Sequence, residues 1–149
     1  MKSLHFWIAT GFFAGLSPIA PGTAGSLVIL LLLWFLPLAP VQLILLSLLC
    51  FFLGVWSSSV VARSKGKKDP QFVVIDEMAG MVLALVAAPH TFVAYGLAFA
   101  LFRLFDIRKP FPVKLAESAP GGWGIMLDDM VAAAYVLVIL LVLRGTGLL

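Results

Sequence analysis

Long apolar stretches, broken by short polar and proline-rich segments, dominate this chain. A membrane-crossing helix needs roughly 20 mainly apolar residues, and fewer where part of it stays inside the protein. The pattern therefore predicts an all-α, polytopic membrane helical bundle with about five spanning helices. The predicted spans are a short one at residues 26–36 and longer ones at residues 41–61, 72–88, 91–105 and 125–143.

The opening apolar stretch, residues 4–16, is shorter and contains Gly11 and Gly15. It predicts a short N-terminal helix that is interfacial or partly re-entrant. It runs on into a polar motif rather than a small-residue cleavage site, so we expect the N-terminus to be retained. No repeat or change of composition divides the chain, and one domain over residues 1–149 is expected.

Composition and charge agree with a membrane protein. The chain is 62% hydrophobic and 11% charged, with a mean hydropathy of +1.13, which excludes an ordinary soluble domain. The basic residues collect in two loops without interleaved aromatic residues, so anionic membrane lipids are expected as partners and nucleic acid is not. The loops contain Arg63, Lys65, Lys67 and Lys68 in one, and Arg103, Arg108, Lys109 and Lys114 in the other.

Short cytoplasmic loops of membrane proteins carry an excess of lysine and arginine, so both basic loops are predicted to be cytoplasmic. The proline turns at residues 37–40 and 89–90 then lie outside. This topology brings the polar segments at residues 21–26, 76–77, 103–109 and 121–129 to one end of the bundle. A functional site at the cytoplasmic membrane surface is therefore predicted.

Carboxylates are the first candidates for chemistry, because acidic groups beside apolar helices are costly unless they pair or bind cations. Of the seven acidic residues, five fall in three clusters: Asp76–Glu77, Asp106 and Asp128–Asp129. Asp76 and Glu77 lie in the first turns of a predicted helix, where the dipole favours them. Gly80 shares their helix face and allows a neighbouring helix or a ligand to approach closely.

The other two acidic clusters sit beside basic residues or glycines. Asp106 ends a predicted helix, where the dipole disfavours a negative charge, and Arg103 is near enough to pair with it or to reach a phosphate. Asp128 and Asp129 begin the last helix after a flexible glycine-rich link at residues 121–124. One of these two is expected to face a metal directly and the other through water or a second metal.

A glycine-rich segment, SPIAPGTAGS at residues 17–26, runs into the start of an apolar helix. Gly22 and the hydroxyls of Thr23 and Ser26 suit a loop that wraps an anion, although a simple turn with an N-cap explains the segment as well. It is not a P-loop, because the Gly-Lys-Ser/Thr ending is missing.

The residues that are missing narrow the chemistry further. His5 and His90 lie outside every cluster, and the sequence has no Cys-x5-Arg loop, Ser/His/Asp set or Cys/His metal spacing. A phospho-histidine or phospho-cysteine enzyme is therefore disfavoured. Oxygen ligands alone indicate Mg²⁺ or a similar hard cation, with phosphate as the natural co-ligand.

Taken together, four motifs closely resemble the bacterial phosphatidylglycerophosphatase A family over nearly the whole chain. They are SPIAPGTAGSL (residues 17–27), IDEMAGM (75–81), FRLFDIRKPFP (102–112) and GGWGIMLDD (121–129). The resemblance implies a Mg²⁺-dependent phosphatase of the bacterial inner membrane. It implies hydrolysis of the terminal phosphate of phosphatidylglycerophosphate to give phosphatidylglycerol.

The resemblance also implies roles for individual residues. The family's acidic and basic motif positions fall on Asp76, Glu77, Arg103, Asp106, Lys109, Asp128 and Asp129, and its glycine-threonine loop on Gly22 and Thr23. The expected metal ligands are Glu77, Asp106 and Asp128 or Asp129. Arg103, Lys109 and Lys114 are expected to hold phosphate oxygens, and Asp76 is the candidate base. Attack by a metal-activated water and attack by an aspartate both remain open.

Two features depart from the family pattern, and two other functions compete with this one. Glu117 stands where an aspartate is expected, and the loop at residues 64–70 is unusually basic, so no role is predicted for Glu117 or Asp69. A cation or proton transporter also uses membrane carboxylates, but it needs them near the bilayer midplane rather than at helix ends. A CDP-alcohol phosphotransferase is disfavoured because its Asp-Gly-x2-Ala-Arg pattern is absent.

Overall fold

The computed structural model describes residues 3–149, which form helices and turns without any β-strand. The all-α prediction is confirmed. The α-helices are α1 (Leu4–Ala9), α2 (Pro21–Phe35), α3 (Pro40–Lys65), α4 (Ile75–Ala84), α5 (Phe92–Arg108), α6 (Val113–Ala116) and α7 (Gly122–Gly145). Short 3-10 helices lie at Ala14–Leu16 and Leu85–Ala87.

Local sequence signals set several helix ends. Pro21 and Pro40 are the first residues of α2 and α3, a position where the missing N–H costs nothing and the fixed φ already suits a helix. Thr91 caps α5, because its side chain accepts a hydrogen bond from the Ala94 N–H at 3.2 Å. Gly66 ends α3 in the left-handed conformation that glycine adopts without strain.

The predicted number of spans is not supported by the observed helix lengths. Among residues 3–149, two helices, α3 and α7, are long and apolar enough to cross a membrane. The α2 and α5 helices have 15 and 17 residues, and α4 has 10 before the 3-10 turn replaces it. The predicted spans are longer than the observed helices because they include apolar residues that lie outside helices, such as Phe72 and Val73 before α4.

The N-terminal stretch is not one continuous helix. The six residues of α1 are followed by a turn in which Gly11, Phe12 and Phe13 all have positive φ, and then by the 3-10 helix. At 1.5 Å per residue α1 is about 9 Å long, too short to cross a bilayer. The stretch instead packs on the segment before α4, where the Val74 N–H donates to the Ala9 carbonyl at 2.9 Å.

The short α4 helix lies at the centre of the bundle, against α2, α3, α5 and α7. Gly80 of α4 lets α5 and α7 approach closely, because a Cβ there would lie 2.7 Å from the Phe102 ring and 3.0 Å from the Asp129 carbonyl oxygen. The prediction that Gly80 permits close helix packing is confirmed. The same contact brings the starts of α4 and α7 together.

The far end of the bundle holds the two proline turns. The Trp34 ring, near the end of α2, stacks on His90 with centroids 4.4 Å apart, and His90 Nε2 donates to the Trp34 carbonyl at 3.0 Å. Arg144, near the end of α7, donates to the Ala87 carbonyl at 3.3 Å. The polar motifs therefore lie together at the opposite end.

The glycines predicted to form a flexible link form the first turn of α7 instead. Gly122 packs directly on α3, where its N–H donates to Ser59 Oγ at 2.9 Å. A Cβ at Gly122 would meet the Val55 carbonyl oxygen and the hydroxyls of Ser58 and Ser59. Close contact with α3, rather than flexibility, therefore explains this glycine.

We expect Gly122→Ala to destabilise the protein, because the new methyl group meets the backbone of α3 and forces α7 outward. The cost should be about 1–3 kcal/mol, as for other overpacked sites. Gly145→Ala in the same helix is the matched control, since nothing lies within 4 Å of its Cβ position. Thermal unfolding in detergent measures both, and equal stability of the two variants would contradict the packing described.

Candidate active site

A cavity of about 430 Å³ opens at the polar end of the bundle, where α2, α4 and α5 meet. Its walls combine an acidic helix start, an arginine and the glycine-bearing start of another helix. The lining residues are Pro18, Ala20, Pro21, Gly22, Asp69, Gln71, Val73, Asp76, Glu77 and Arg103.

Three carboxylates converge beside this cavity, and two of them, Asp76 and Glu77, line it. Asp76 and Glu77 come from the first turn of α4, and Asp129 comes from the second turn of α7. One oxygen of each lies within 4.8 Å of the others, an arrangement that can hold a metal ion. Asp76 and Asp129 are buried, and Glu77 is half-buried.

Several oxygens of these carboxylates are buried without a hydrogen-bond partner: Asp76 Oδ1, Glu77 Oε2 and both carboxylate oxygens of Asp129. Leaving a buried polar atom unsatisfied costs about 1–3 kcal/mol, and more for a charged group. The three negative charges also repel one another. Hard oxygen donors without partners suit a small divalent cation such as Mg²⁺.

Arg103 provides the positive charge nearest to these acids. Its Nη1 atom lies 2.7 Å from Asp106 Oδ2, one turn along α5, and 3.9 Å from Glu77 Oε1. The guanidinium is therefore held at the cavity wall by Asp106, and it faces the acidic cluster through Glu77. Asp106 is thus paired with Arg103 in this structure. Its role as a metal ligand stays a prediction.

Asp128 belongs to a different ion pair. Its Oδ2 atom accepts a hydrogen bond from Lys109 Nζ at 2.7 Å, and Lys109 also lies 3.2 Å from Glu117 Oε2. Burial by itself lowers the pKa of Lys109, but the hydrogen bonds and charges of Asp128 and Glu117 outweigh it and raise that pKa above its usual range. Lys109 is thus a permanent cation shared by two carboxylates.

The predicted anion-binding residues of α2 separate in the structure. Gly22 lines the cavity and packs against the Glu77 carboxylate and the Arg103 guanidinium. The Ser26 hydroxyl is buried and donates to the Gly22 carbonyl at 2.9 Å, so it is used within its own helix. Thr23 and the exposed Lys114 are not among the residues that line the cavity.

Sequence reasoning missed two residues of the cavity wall, Asp69 and Gln71. No role was predicted for Asp69, and its side chain is exposed, but the residue lines the cavity because its loop folds back over the site. Both residues could have been predicted from their proximity along the chain, since they lie only a few positions before Asp76.

Buried carboxylates, an arginine and a glycine-bearing helix start, gathered at one end of an apolar bundle, define a class of helical enzyme that acts on phosphate groups. The sequence model of the phosphatidylglycerophosphatase A family matches residues 7–144. The chain therefore belongs to the phosphatidylglycerophosphatase A family, a family of phosphoric monoester hydrolases. The resemblance to this family that the four sequence motifs indicated is confirmed.

Curated relatives cover most of the chain. A putative phosphatidylinositol-3-phosphatase of Bacteroides thetaiotaomicron is 41% identical over 148 residues, covering 92% of this chain and 91% of that protein. Phosphatidylglycerophosphatase A of Haemophilus influenzae is 39% identical, covering 97% and 90%. Phosphatidylglycerophosphatase A of Escherichia coli is 39% identical, covering 89% and 80%. No solved structure matches this chain.

We expect Gly22→Ala to lower kcat at least about tenfold, because the added methyl group displaces the Glu77 carboxylate from the acidic cluster. Stability should change by less than about 1 kcal/mol, since the displaced atom ends a flexible side chain and alanine favours a helix. Phosphate release and thermal unfolding measure the two effects. Gly96→Ala, with nothing near its Cβ position, should leave kcat unchanged, and an equal loss in both variants would contradict this role of Gly22.

Proposed function

We propose that this protein removes the terminal phosphate of phosphatidylglycerophosphate, in a Mg²⁺-dependent reaction that yields phosphatidylglycerol. The observation that carries the proposal is the cavity in which buried, unpartnered carboxylates face an arginine at the polar end of an apolar bundle. Family membership supports the class of substrate.

The acidic cluster is the proposed Mg²⁺ site, with Asp76, Glu77 and Asp129 as the residues that would hold the ion. This set differs from the expected ligands, which were Glu77, Asp106 and Asp128 or Asp129, with Asp76 as the base. When bound, Mg²⁺ neutralises phosphate charge and lowers the pKa of water. The partnerless oxygens support the fit, because they are acceptors that the rest of the protein leaves unsatisfied.

Arg103 is the proposed phosphate ligand among the protein's own residues. Its guanidinium lines the cavity, and its planar array of donors matches phosphate oxygens. Asp106 holds it in position through the ion pair within α5. N–H groups in the first turn of α2, beside Gly22, are free of intrahelical partners and are suitable for a second phosphate oxygen.

Hydrolysis proceeds, in this proposal, by in-line attack of water on phosphorus. The water oxygen forms a new bond to phosphorus, the bond to the glycerol oxygen breaks, and that oxygen takes up a proton from solvent as it leaves. Asp76 lines the cavity, and its second carboxylate oxygen, the one that would not hold the ion, is the proposed base that takes the proton of the attacking water. Lys109 is already occupied by Asp128 and Glu117, so we assign it to positioning Asp128.

A bacterial inner-membrane location, with the site at the cytoplasmic face, completes the proposal. The two basic loops, residues 63–68 and 103–114, lie at the polar end of the bundle, in keeping with the lysine and arginine bias of cytoplasmic loops, whereas Arg144 lies at the far end. Ile19 and Phe111, at the same end, expose most of their apolar side chains, which suits contact with the membrane interface. The lipid tails can then stay in the bilayer while the headgroup enters the cavity.

A second substrate class is the 3-phosphate of phosphatidylinositol, because the relative from Bacteroides thetaiotaomicron carries that name. A transporter is not proposed, since the acids lie in the first turn of α4 and the second turn of α7, at the polar end of the bundle, and the chain belongs to a hydrolase family.

The test is phosphate release by the purified protein from a panel of lipid phosphates. We expect rapid release from phosphatidylglycerophosphate and at least about 10²-fold slower release from phosphatidylinositol 3-phosphate and phosphatidic acid, because transition-state contacts set specificity. Chelation should abolish release and added Mg²⁺ should restore it. Preference for the inositol lipid would replace the proposed substrate, and full activity in excess chelator would remove the metal from the proposal.

Asp129→Asn tests the acidic cluster, since it removes a charge at nearly constant volume. We expect kcat to fall at least about 10²-fold, as for loss of a positioned catalytic group. Glu117→Gln is the control, because Glu117 is partly exposed and does not line the cavity, and it should cost less than about tenfold, or roughly 1.4 kcal/mol of barrier. Extracted yield checks folding, and normal turnover in Asp129→Asn would place the site elsewhere.

A further inference from the structure

A second cavity, of about 370 Å³, lies among α1, α2, α3 and α4 and shares no lining residue with the site cavity. We call it the apolar groove. Its walls include Ile29 and Leu32 of α2, Cys50 and Leu53 of α3, and Ile75 of α4. The α1 helix and the turn after it close one side.

The groove can bind hydrocarbon but not an ion or a headgroup. All of its lining residues are aliphatic or aromatic, a glycine, or sulfur-containing, so none offers a charged group or a strong hydrogen bond. Its volume is within the range of pockets that bind small molecules, about 300–1,000 Å³. Protein interiors are otherwise close-packed, so a space of this size needs an apolar occupant to regain its lost contacts.

The groove opens towards the region where bilayer hydrocarbon would lie. Leu32 is 55% exposed and Leu53 is 39% exposed, so the rim is open rather than sealed. Leu53 belongs to α3, one of the two helices long and apolar enough to cross a membrane. Acyl chains are therefore the molecules that meet this opening.

The α4 helix connects the groove to the active site. Ile75 and Met78 line the groove, and the two residues between them, Asp76 and Glu77, line the site cavity. The first turn of α4 thus has an acidic side and an apolar side. A molecule with a phosphate on the first side and a hydrocarbon chain on the second would contact both.

The depth of the groove along α2 matches the depth of a lipid tail. Gly22 lines the site cavity, whereas Ile29 and Leu32 follow seven and ten residues later, roughly 10 and 15 Å further along the helix. The headgroup layer on each side of a bilayer is roughly 5–8 Å thick. With the phosphate in the site cavity, the groove therefore begins at the depth in the bilayer at which the lipid tails begin.

We propose that the apolar groove holds one fatty acyl chain of the lipid substrate while its phosphate occupies the site cavity. The proposal rests on the proposed function and adds a determinant of specificity, because chain length as well as headgroup then contributes to binding. A long chain gains contact with the groove, and a chain of a few carbons does not reach along it.

Tryptophan substitutions that fill the groove test this proposal. Leu32→Trp and Leu53→Trp narrow it, while Leu31→Trp and Leu49→Trp are matched controls on the same helices, 47% and 56% exposed but outside the groove. The substrates are dioleoyl and dihexanoyl phosphatidylglycerophosphate. We expect the groove variants to lower kcat/KM for the dioleoyl lipid about tenfold, mainly through KM, and to change it less than about twofold for the dihexanoyl lipid.

Three outcomes would overturn the proposal. Unchanged dioleoyl kinetics in both groove variants would show that the chain lies elsewhere, as would equal losses in the control variants. Equal losses on both substrates would show that the substitutions disturb the site rather than the chain. Failure of the unmodified protein to hydrolyse either substrate would refute the proposed function instead.

Alkylation of Cys50 gives a second measurement that needs no turnover, because it is the chain's one cysteine and it lines the groove. Without Mg²⁺, the dioleoyl lipid should slow the reaction of Cys50 with N-ethylmaleimide several-fold, and the dihexanoyl lipid should not. Leu53→Trp should remove the difference between the two lipids. Equal alkylation rates with both lipids in the unmodified protein would refute occupancy of the groove by the chain.

Discussion

The burial of Asp76, Glu77 and Asp129 within a few ångströms of one another is the constraint on which the rest of this structure depends. Three such carboxylates repel one another and lose hydration, so they persist only where the fold forces them together. Close helix packing supplies that force. Gly80 lets α5 and α7 approach α4, and Gly122 allows α7 to pack closely on α3.

The surrounding charges show how the protein manages this cost. Arg103 pairs closely with Asp106 and more distantly with Glu77, and Lys109 is held between Asp128 and Glu117, so three of the site's five acids have a basic partner. Asp76, Asp129 and the second carboxylate oxygen of Glu77 keep oxygens without partners. This division separates groups that orient the site from groups that are available to bind a cation.

An amphiphilic substrate explains why the polar cavity and the apolar groove share α2 and α4. The acidic turn of α4 has hydrocarbon-lined space on one side and a polar cavity on the other. A lipid phosphate has the same division within one molecule. In the proposed function, the chemistry takes place at the end of the bundle, and the apolar groove adds binding energy deeper in the bilayer.

The sequence by itself determined the all-α class, the family and the end of the bundle at which the polar motifs meet. Hydrophobic runs report how apolar the surroundings are, and the motif spacing is specific. Helix lengths were predicted less well from the sequence, because an apolar residue such as Phe72 can lie in a turn as well as in a helix. The partners of individual charges were not accessible either. Adjacent residues on a helix point about 100° apart, so the packing of α7 decided that Asp129 joins Asp76 and Glu77 while Asp128 pairs with Lys109.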